Sequence, residues 1–202
     1  MVVIAVKENI NMKVIDVSYW QVGIDWDAVV ADGVEGVIIK LTEGETIEES
    51  FYEHVNNAKQ HGLKWGVYAF SHASTPEEAR MEGNEVVYLL NKFGEKPPLG
   101  IWFDFESKEN LNCSDPTAVC SAFLSFCNAN GYDTVGVYAS LSTLVDVVSV
   151  YQLASYVPYW VAQYSDTCDF KEYYPNARLA AWQYSDKQYI GNTNVDMNEW
   201  YL

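Results

Sequence analysis

Short apolar runs in this chain alternate with segments whose apolar residues recur every three to four positions. The runs Val14–Ser18, Gly36–Lys40, Leu63–Phe70, Leu99–Glu106 and Thr134–Ala139 predict strands. The segments between them predict helices. Asp25 caps a short one through Ala31, which Gly33 ends. Ile47–Gln60 brings Phe51, Val55 and Ala58 onto one side, with Gly62 just past its end. Thr75, Pro76 and Glu78 form a cap, a first-turn proline and a capping-box acid, opening a helix to about Lys92. Asp115 and Pro116 open another that runs to Asn130 and Gly131, and Ser140–Val148 predicts a short one. Tyr19–Gln21, Leu41–Thr46 and Ser107–Asp115 predict loops. Pro158–Gln163, Leu179–Tyr184 and Asn194–Met197 then predict three further strands with little helix between them.

Alternation at this spacing argues for a parallel sheet, and eight strands argue for closure. The early strands are almost continuously apolar, as strands covered by helices must be. The predicted fold class is therefore α/β: an irregular TIM-like barrel of five β/α units followed by three strands. Residues 14–202 are expected to form one catalytic domain. Residues 1–13 are expected to be a leader or an alternative start, since Met12 offers a second initiation point and the fold would then begin at Lys13. The apolar run at the N-terminus has no basic region before it and no small-residue cleavage site, so no signal peptide is predicted. No run approaches a membrane-spanning length.

Composition narrows the partners. The 202 residues carry a formal net charge of −16, which disfavours nucleic acid and anionic membrane surfaces. Seven Trp and fifteen Tyr are many for this length; a packed core accounts for part of them, and aromatic faces also stack on sugar rings. Cys113, Cys120 and Cys127 are spaced so that they would lie along one side of a helix, too far apart for neighbours to bridge. With Cys168 they read as free thiols, a bridge from Cys168 remaining open. No zinc-ligand spacing and no glycine-rich phosphate loop occurs, and no cofactor is expected.

The candidate chemistry sits on Leu99–Glu106. Residues two apart on a strand share a face, so Trp102, Asp104 and Glu106 lie together, opposite Ile101, Phe103 and Phe105. Two carboxyls beside aromatics at a strand end suit glycosidic cleavage; the competing reading is a strand end whose acids face solvent or cap the next helix. Barrel closure brings the first and last strands together, adding Asp16 and Asp196 at the same mouth. Crowded like charges and apolar walls would keep one acid protonated near neutral pH, fit to protonate a leaving oxygen. Tyr68, Tyr138, Trp160, Gln163, Tyr164, Trp182 and Gln183 fall at strand ends and are the candidate substrate-binding residues. His54, His61 and His72 are expected away from the mouth, which counts against a metal-dependent barrel hydrolase.

The ordered set Asp16–Gln21, Val37–Gly44, Gly66–Phe70, Asp104–Glu106, Tyr159–Tyr164, Trp182–Ser185 and Val195–Asn198 resembles glycoside hydrolase family 25, the Chalaropsis-type lysozymes. The resemblance covers about residues 14–202. It implies an N-acetylmuramidase that cuts the β-1,4 bond from N-acetylmuramic acid to N-acetylglucosamine in peptidoglycan, as phage endolysins and autolysins do. It implies Glu106 as general acid, Asp104 as its partner, and Asp16 and Asp196 as residues that position substrate and set the charge. It also implies retention, with the substrate's acetamido oxygen or an aspartate, Asp104 or Asp196, attacking the anomeric carbon. Strand spacing alone, about 6.6 Å between such residues, leaves the stereochemistry open. The family often has Tyr-His-Phe where this chain has Tyr68, Ala69 and Phe70. Ala69 should face away from its neighbours, so a packing effect is expected. The expected partner is bacterial peptidoglycan, met by a monomer after release from the cytoplasm or outside the cell. A chitinase-like glycosidase and a non-catalytic wall-binding module are the competing readings.

Overall fold

The structure, a computed structural model, describes residues 11–201. The expected leader therefore falls largely outside the described residues. The chain is ordered as β1 (Met12–Val17), a 3-10 turn (Tyr19–Gln21), α1 (Trp26–Ala31), β2 (Gly36–Glu43), β3 (Thr46–Ile47), α2 (Phe51–Gln60) and β4 (Lys64–Phe70). There follow α3 (Pro76–Phe93), β5 (Ile101–Asp104), α4 (Lys108–Leu111), α5 (Pro116–Ala129), β6 (Val135–Ser140) and α6 (Leu141–Asp146). The last elements are β7 (Pro158–Ala162), α7 (Phe170–Tyr173), β8 (Arg178–Ile190) and β9 (Thr193–Trp200).

β1, β2, β4, β5, β6, β7, β8 and β9 pair in that order, and β9 closes the barrel against β1. From β1 round to β8 neighbours are parallel. β9 runs antiparallel to both β8 and β1. Helices need only cover parallel strands, because an antiparallel pair can be joined by a tight turn. Gly191, at φ +63°, and Asn192 make that turn between Ile190 and Thr193.

The strands divide their side chains between two apolar layers. Ile101, Phe103 and Phe105 pack outward with Val86, Leu90, Val119 and Phe123 of α3 and α5. Trp102, Trp160, Trp200, Ile38 and Val14 fill the barrel interior. The three indoles meet edge-on or tilted, with centroids 5.1–6.0 Å apart. Interior space for Trp102 exists because Gly136 has no side chain: a Cβ there would lie 2.4 Å from its Cζ3.

Several elements depart from expectation. β2 continues through Leu41–Glu43 and turns back into β3, so this segment is not a loop. α2 accordingly starts at Phe51, not Ile47. Ser107–Asp115 contains α4, whose start is a reciprocal cap between Ser107 and Asn110. β8 and β9 extend well beyond the predicted strands. Cys113 precedes α5, so it does not share a helix with Cys120 and Cys127; all four thiols are free.

Candidate active site

The barrel mouth holds a cleft of about 310 Å³ walled by Asp16, Asp104, Glu106 and Asp196. Asp16 and Asp196 are direct register partners across β1 and β9. Asp104 is the last residue of β5. Beyond it, Phe105 N–H still donates to the Tyr138 carbonyl at 2.9 Å, so the strand course continues for one more residue. Phe105 is buried outward, which turns Glu106 back to the face of Asp104. α4 then takes the chain away. Asn110 Nδ2 ties it to the Ser71 hydroxyl (3.0 Å) and the Ala73 carbonyl (2.8 Å).

One amide organises the pair from the closing strands. Gln183 Nε2 donates to Asp16 Oδ2 at 3.1 Å and to Asp196 Oδ2 at 3.3 Å. Its Oε1 accepts from the Tyr138 and Tyr164 hydroxyls at 2.9 and 3.0 Å. Asn198 Nδ2 also donates to Asp16 Oδ2 at 2.9 Å, while its Oδ1 accepts from Trp160 Nε1 at 2.7 Å. Every polar atom of Gln183 is committed, so the amide can orient only one way.

All four acids are raised, burial being the first cause in each, with different neighbours adding to it or opposing it. Burial pushes Asp16 up to about 6 against the bonds from Asn198 and Gln183. Burial, then repulsion from Asp16, Asp186 and Glu106, pushes Asp196 up to about 8. Asp104 is buried, its Oδ1 has no partner, and burial followed by the charges of Glu106 and Asp16 drives it well up. Glu106, the most exposed of the four, is raised by its enclosure in the cleft and then by Asp16, against the pull of Lys40.

The aromatic candidates separate. Tyr68 and Tyr138 line the cleft, and Tyr164 reaches its edge through Gln183. Trp160 forms the floor but is 1% exposed and packs at a tilt on Tyr138, with ring centroids 4.4 Å apart, so it offers little surface for stacking. Gln163 is not in the cleft: its two amide ends bond Asp169, at 2.7 and 2.8 Å. Trp182 also stands outside the cleft lining, with Nε1 on the Gln163 carbonyl at 2.7 Å and its ring on Tyr184. Ala69 is buried outward among the helices, leaving Tyr68 to the cleft.

The cleft also contains residues to which the sequence reading gave no role. Trp20, 81% exposed, stands on the rim; the capping box of Ser18 and Gln21 fixes the turn that carries it. His54, fully buried, donates from Nε2 to the Ser18 carbonyl at 2.9 Å and backs the same turn. Lys40 and Phe70 complete the wall. His72, two residues beyond β4, is not among the cleft-lining residues; its ring bonds Glu43 at the end of β2. A charged residue ending an apolar strand, as at Lys40, was the signal in the sequence. Among the described residues no group of three or more His, Cys, Asp and Glu is arranged to hold a metal ion.

An eight-stranded β/α barrel with four raised carboxyls converging at its mouth defines the class of a barrel glycosidase. The chain belongs to the family described as Glycosyl hydrolases family 25, whose model matches residues 15–193. An autolytic lysozyme of Clostridium acetobutylicum is 44% identical over 66 residues, 32% of this chain and 20% of that protein. The modular autolysin LytC of Streptococcus pneumoniae superposes with a TM-score of 0.80 at 24% identity, over 95% of this chain and 47% of its own. A family 25 glycosyl hydrolase of Bacillus anthracis gives 0.76 at 19% identity, over 95% and 89%. The chain thus spans about a fifth of the clostridial relative and about half of the pneumococcal one.

Proposed function

We propose that the chain is an N-acetylmuramidase, hydrolysing the β-1,4 bond from N-acetylmuramic acid to N-acetylglucosamine in peptidoglycan with retention. The observation that carries this reading is the buried Asp104 carboxyl, with one oxygen unpartnered, beside the more exposed Glu106 at the mouth of the barrel. A buried acceptor without a donor is costly, and a substrate acetamido N–H supplies one. Accepting that bond favours the ionised form of Asp104. The proton that the crowded pair shares then resides on Glu106, where it is needed.

Glu106 passes its proton to the glycosidic oxygen as the anomeric C–O bond breaks. The acetamido carbonyl oxygen bonds to the anomeric carbon from the opposite face, and Asp104 holds the N–H of the cyclic oxazolinium ion. Water then attacks the anomeric carbon, gives a proton to Glu106 and opens the ring. Two displacements at one carbon retain its configuration. Asp16, Gln183 and Asp196 form the wall beside the reacting sugar, and the amide keeps their charges apart. The enzyme acts on the cell wall as a monomer, reaching it by release or export.

The test is release of reducing ends from purified peptidoglycan by wild type, Glu106→Gln and Asp104→Asn. Each substitution is expected to lower kcat/KM by about 10²–10⁴-fold, the range for a positioned acid or its partner. Turnover by Glu106→Gln equal to wild type contradicts the assignment.

A further inference from the structure

Among the described residues that line the cleft, Lys40 carries the only positive charge. Its side chain is 14% exposed, ion-paired with Glu43, and its Nζ lies 4.9 Å from the centre of the Phe70 ring. Phe70 is the register partner of Asp104 on the next strand, so the ammonium stands over the strand beside the acid pair. This placement depends on an irregularity. Lys40 and Glu43 are an odd number of residues apart, and on a regular strand they would face opposite sides. The register of β2 on β4 shifts between Lys40 and Thr42, which inserts one residue and puts both side chains on the same face, Lys40 opposite Tyr68 and Glu43 opposite Phe70.

The second oxygen of Glu43 is also engaged: Oε1 accepts from His72 Nε2 at 2.7 Å. His72 in turn faces Glu109 of α4 through Nδ1 at 3.4 Å, and its backbone N–H donates to Glu82 of α3 at 2.9 Å. The two carboxylates on its ring, Glu43 first and then Glu109, raise the imidazole above its ordinary range against its partial burial. Glu43 is thereby held between Lys40 on its own strand and His72 in the segment after β4.

We infer that Lys40 is a positioning residue that sets the charge balance of the Asp104–Glu106 pair, with Glu43, clamped by His72, moderating its effect. The groups facing the acid pair are Asp16 from β1, Asp196 from β9, Lys40 and Glu43 from β2, and the phenols of Tyr68 and Tyr138 from β4 and β6. Three of these are carboxyls. A single cation is what keeps one member of the pair ionised while the other retains its proton. The direction of each influence agrees: Lys40 pulls Asp104 and Glu106 down, and Glu43 pushes Asp104 up. The inference rests on the muramidase reading for its kinetic consequence and on geometry alone for its electrostatic one.

Two measurements test it together: the pH profile of kcat/KM on peptidoglycan, and carbon NMR titration of the acid-pair carboxyls in the resting protein. Lys40→Met is expected to move both limbs of the profile, and both carboxyl titrations, up by about one pH unit. Lys40→Arg should restore them. Glu43→Gln, which still accepts from His72, should move them the other way. A Lys40→Met protein whose rate falls while limbs and titrations stay in place overturns the inference, as does Glu43→Gln shifting in the same direction as Lys40→Met. If wild type leaves peptidoglycan uncut but the titrations move as stated, the muramidase reading fails and the charge-setting role stands.

Discussion

Asp104 and Glu106 are two positions apart and chemically unequal: one is buried with an unpartnered oxygen, the other opens to solvent. In the proposed mechanism that inequality separates the acid that holds the acetamido group from the acid that gives and takes the proton. Their shared face follows from strand alternation, so the sequence was sufficient to locate them. The same holds for Asp16 and Asp196, which closure makes register partners. Gln163 and Trp182 were legible as strand-end polar and aromatic residues but not as structural ones. Their hydrogen bonds go to Asp169 and to the Gln163 carbonyl, partners that only the folded loop supplies. Gln183 is the residue whose chemistry leaves least freedom. Tyr138→Phe removes one donor to its Oε1 and leaves the Tyr164 hydroxyl to hold it. A loss of about 1 kcal/mol in stability is expected from denaturant unfolding. Gln183→Glu places a further acid between Asp16 and Asp196; activity should fall at least tenfold at neutral pH and recover partly on acidification, read from the pH profile.

At the scale of elements, the helices announce their own ends. Thr75, Pro76 and Glu78 form the predicted capping box, with the Thr75 hydroxyl accepting from Glu78 N–H at 3.3 Å. Thr75→Ala should cost about 1 kcal/mol by thermal unfolding without changing turnover. The elements that escaped prediction are those whose pattern is not periodic. α4 is a single capped turn, too short for an apolar stripe. β8 runs through Ser185, Asp186, Lys187 and Gln188, half-buried and then exposed with no residue of the four buried, so alternation is lost. The β2 bulge leaves no mark of its own in the sequence, yet it aims Lys40 and Glu43. Inside the barrel, complementarity is steric. Gly136→Ala drives a Cβ to 2.4 Å from Trp102 and 2.6 Å from the Pro158 carbonyl. Neither a packed indole nor strand backbone yields cheaply, so a loss of about 3 kcal/mol or failure to fold is expected, measured by denaturant unfolding.

For the molecule as a whole, the site is built against stability. Asp16 and Asp196 are raised to about 6 and about 8, above the value of 3.8 for a free Asp side chain. A group raised on folding stabilises the protein below its unfolded value, and that contribution is lost as pH rises through the folded value. The cluster therefore favours the folded state in acid and loses that support between about pH 4 and pH 8. Asp196→Asn keeps an acceptor for Gln183 and removes the crowding. It should raise Tm at about pH 9, by about 2–4 °C for each kcal/mol relieved, and leave Tm near pH 4 unchanged. Scanning calorimetry at the two pH values reads this directly. The net charge of −16 acts at longer range: anionic wall polymers repel the enzyme, so clearing of wall suspensions should slow as salt is lowered.

The central claim is a bond: the β-1,4 linkage whose anomeric carbon belongs to N-acetylmuramic acid, cut with a proton from Glu106. Digest purified peptidoglycan, reduce the products with borohydride, and identify the reduced sugar after acid hydrolysis. Wild type should yield muramitol and Glu106→Gln essentially none; glucosaminitol from wild type, or undiminished muramitol from Glu106→Gln, would contradict the account.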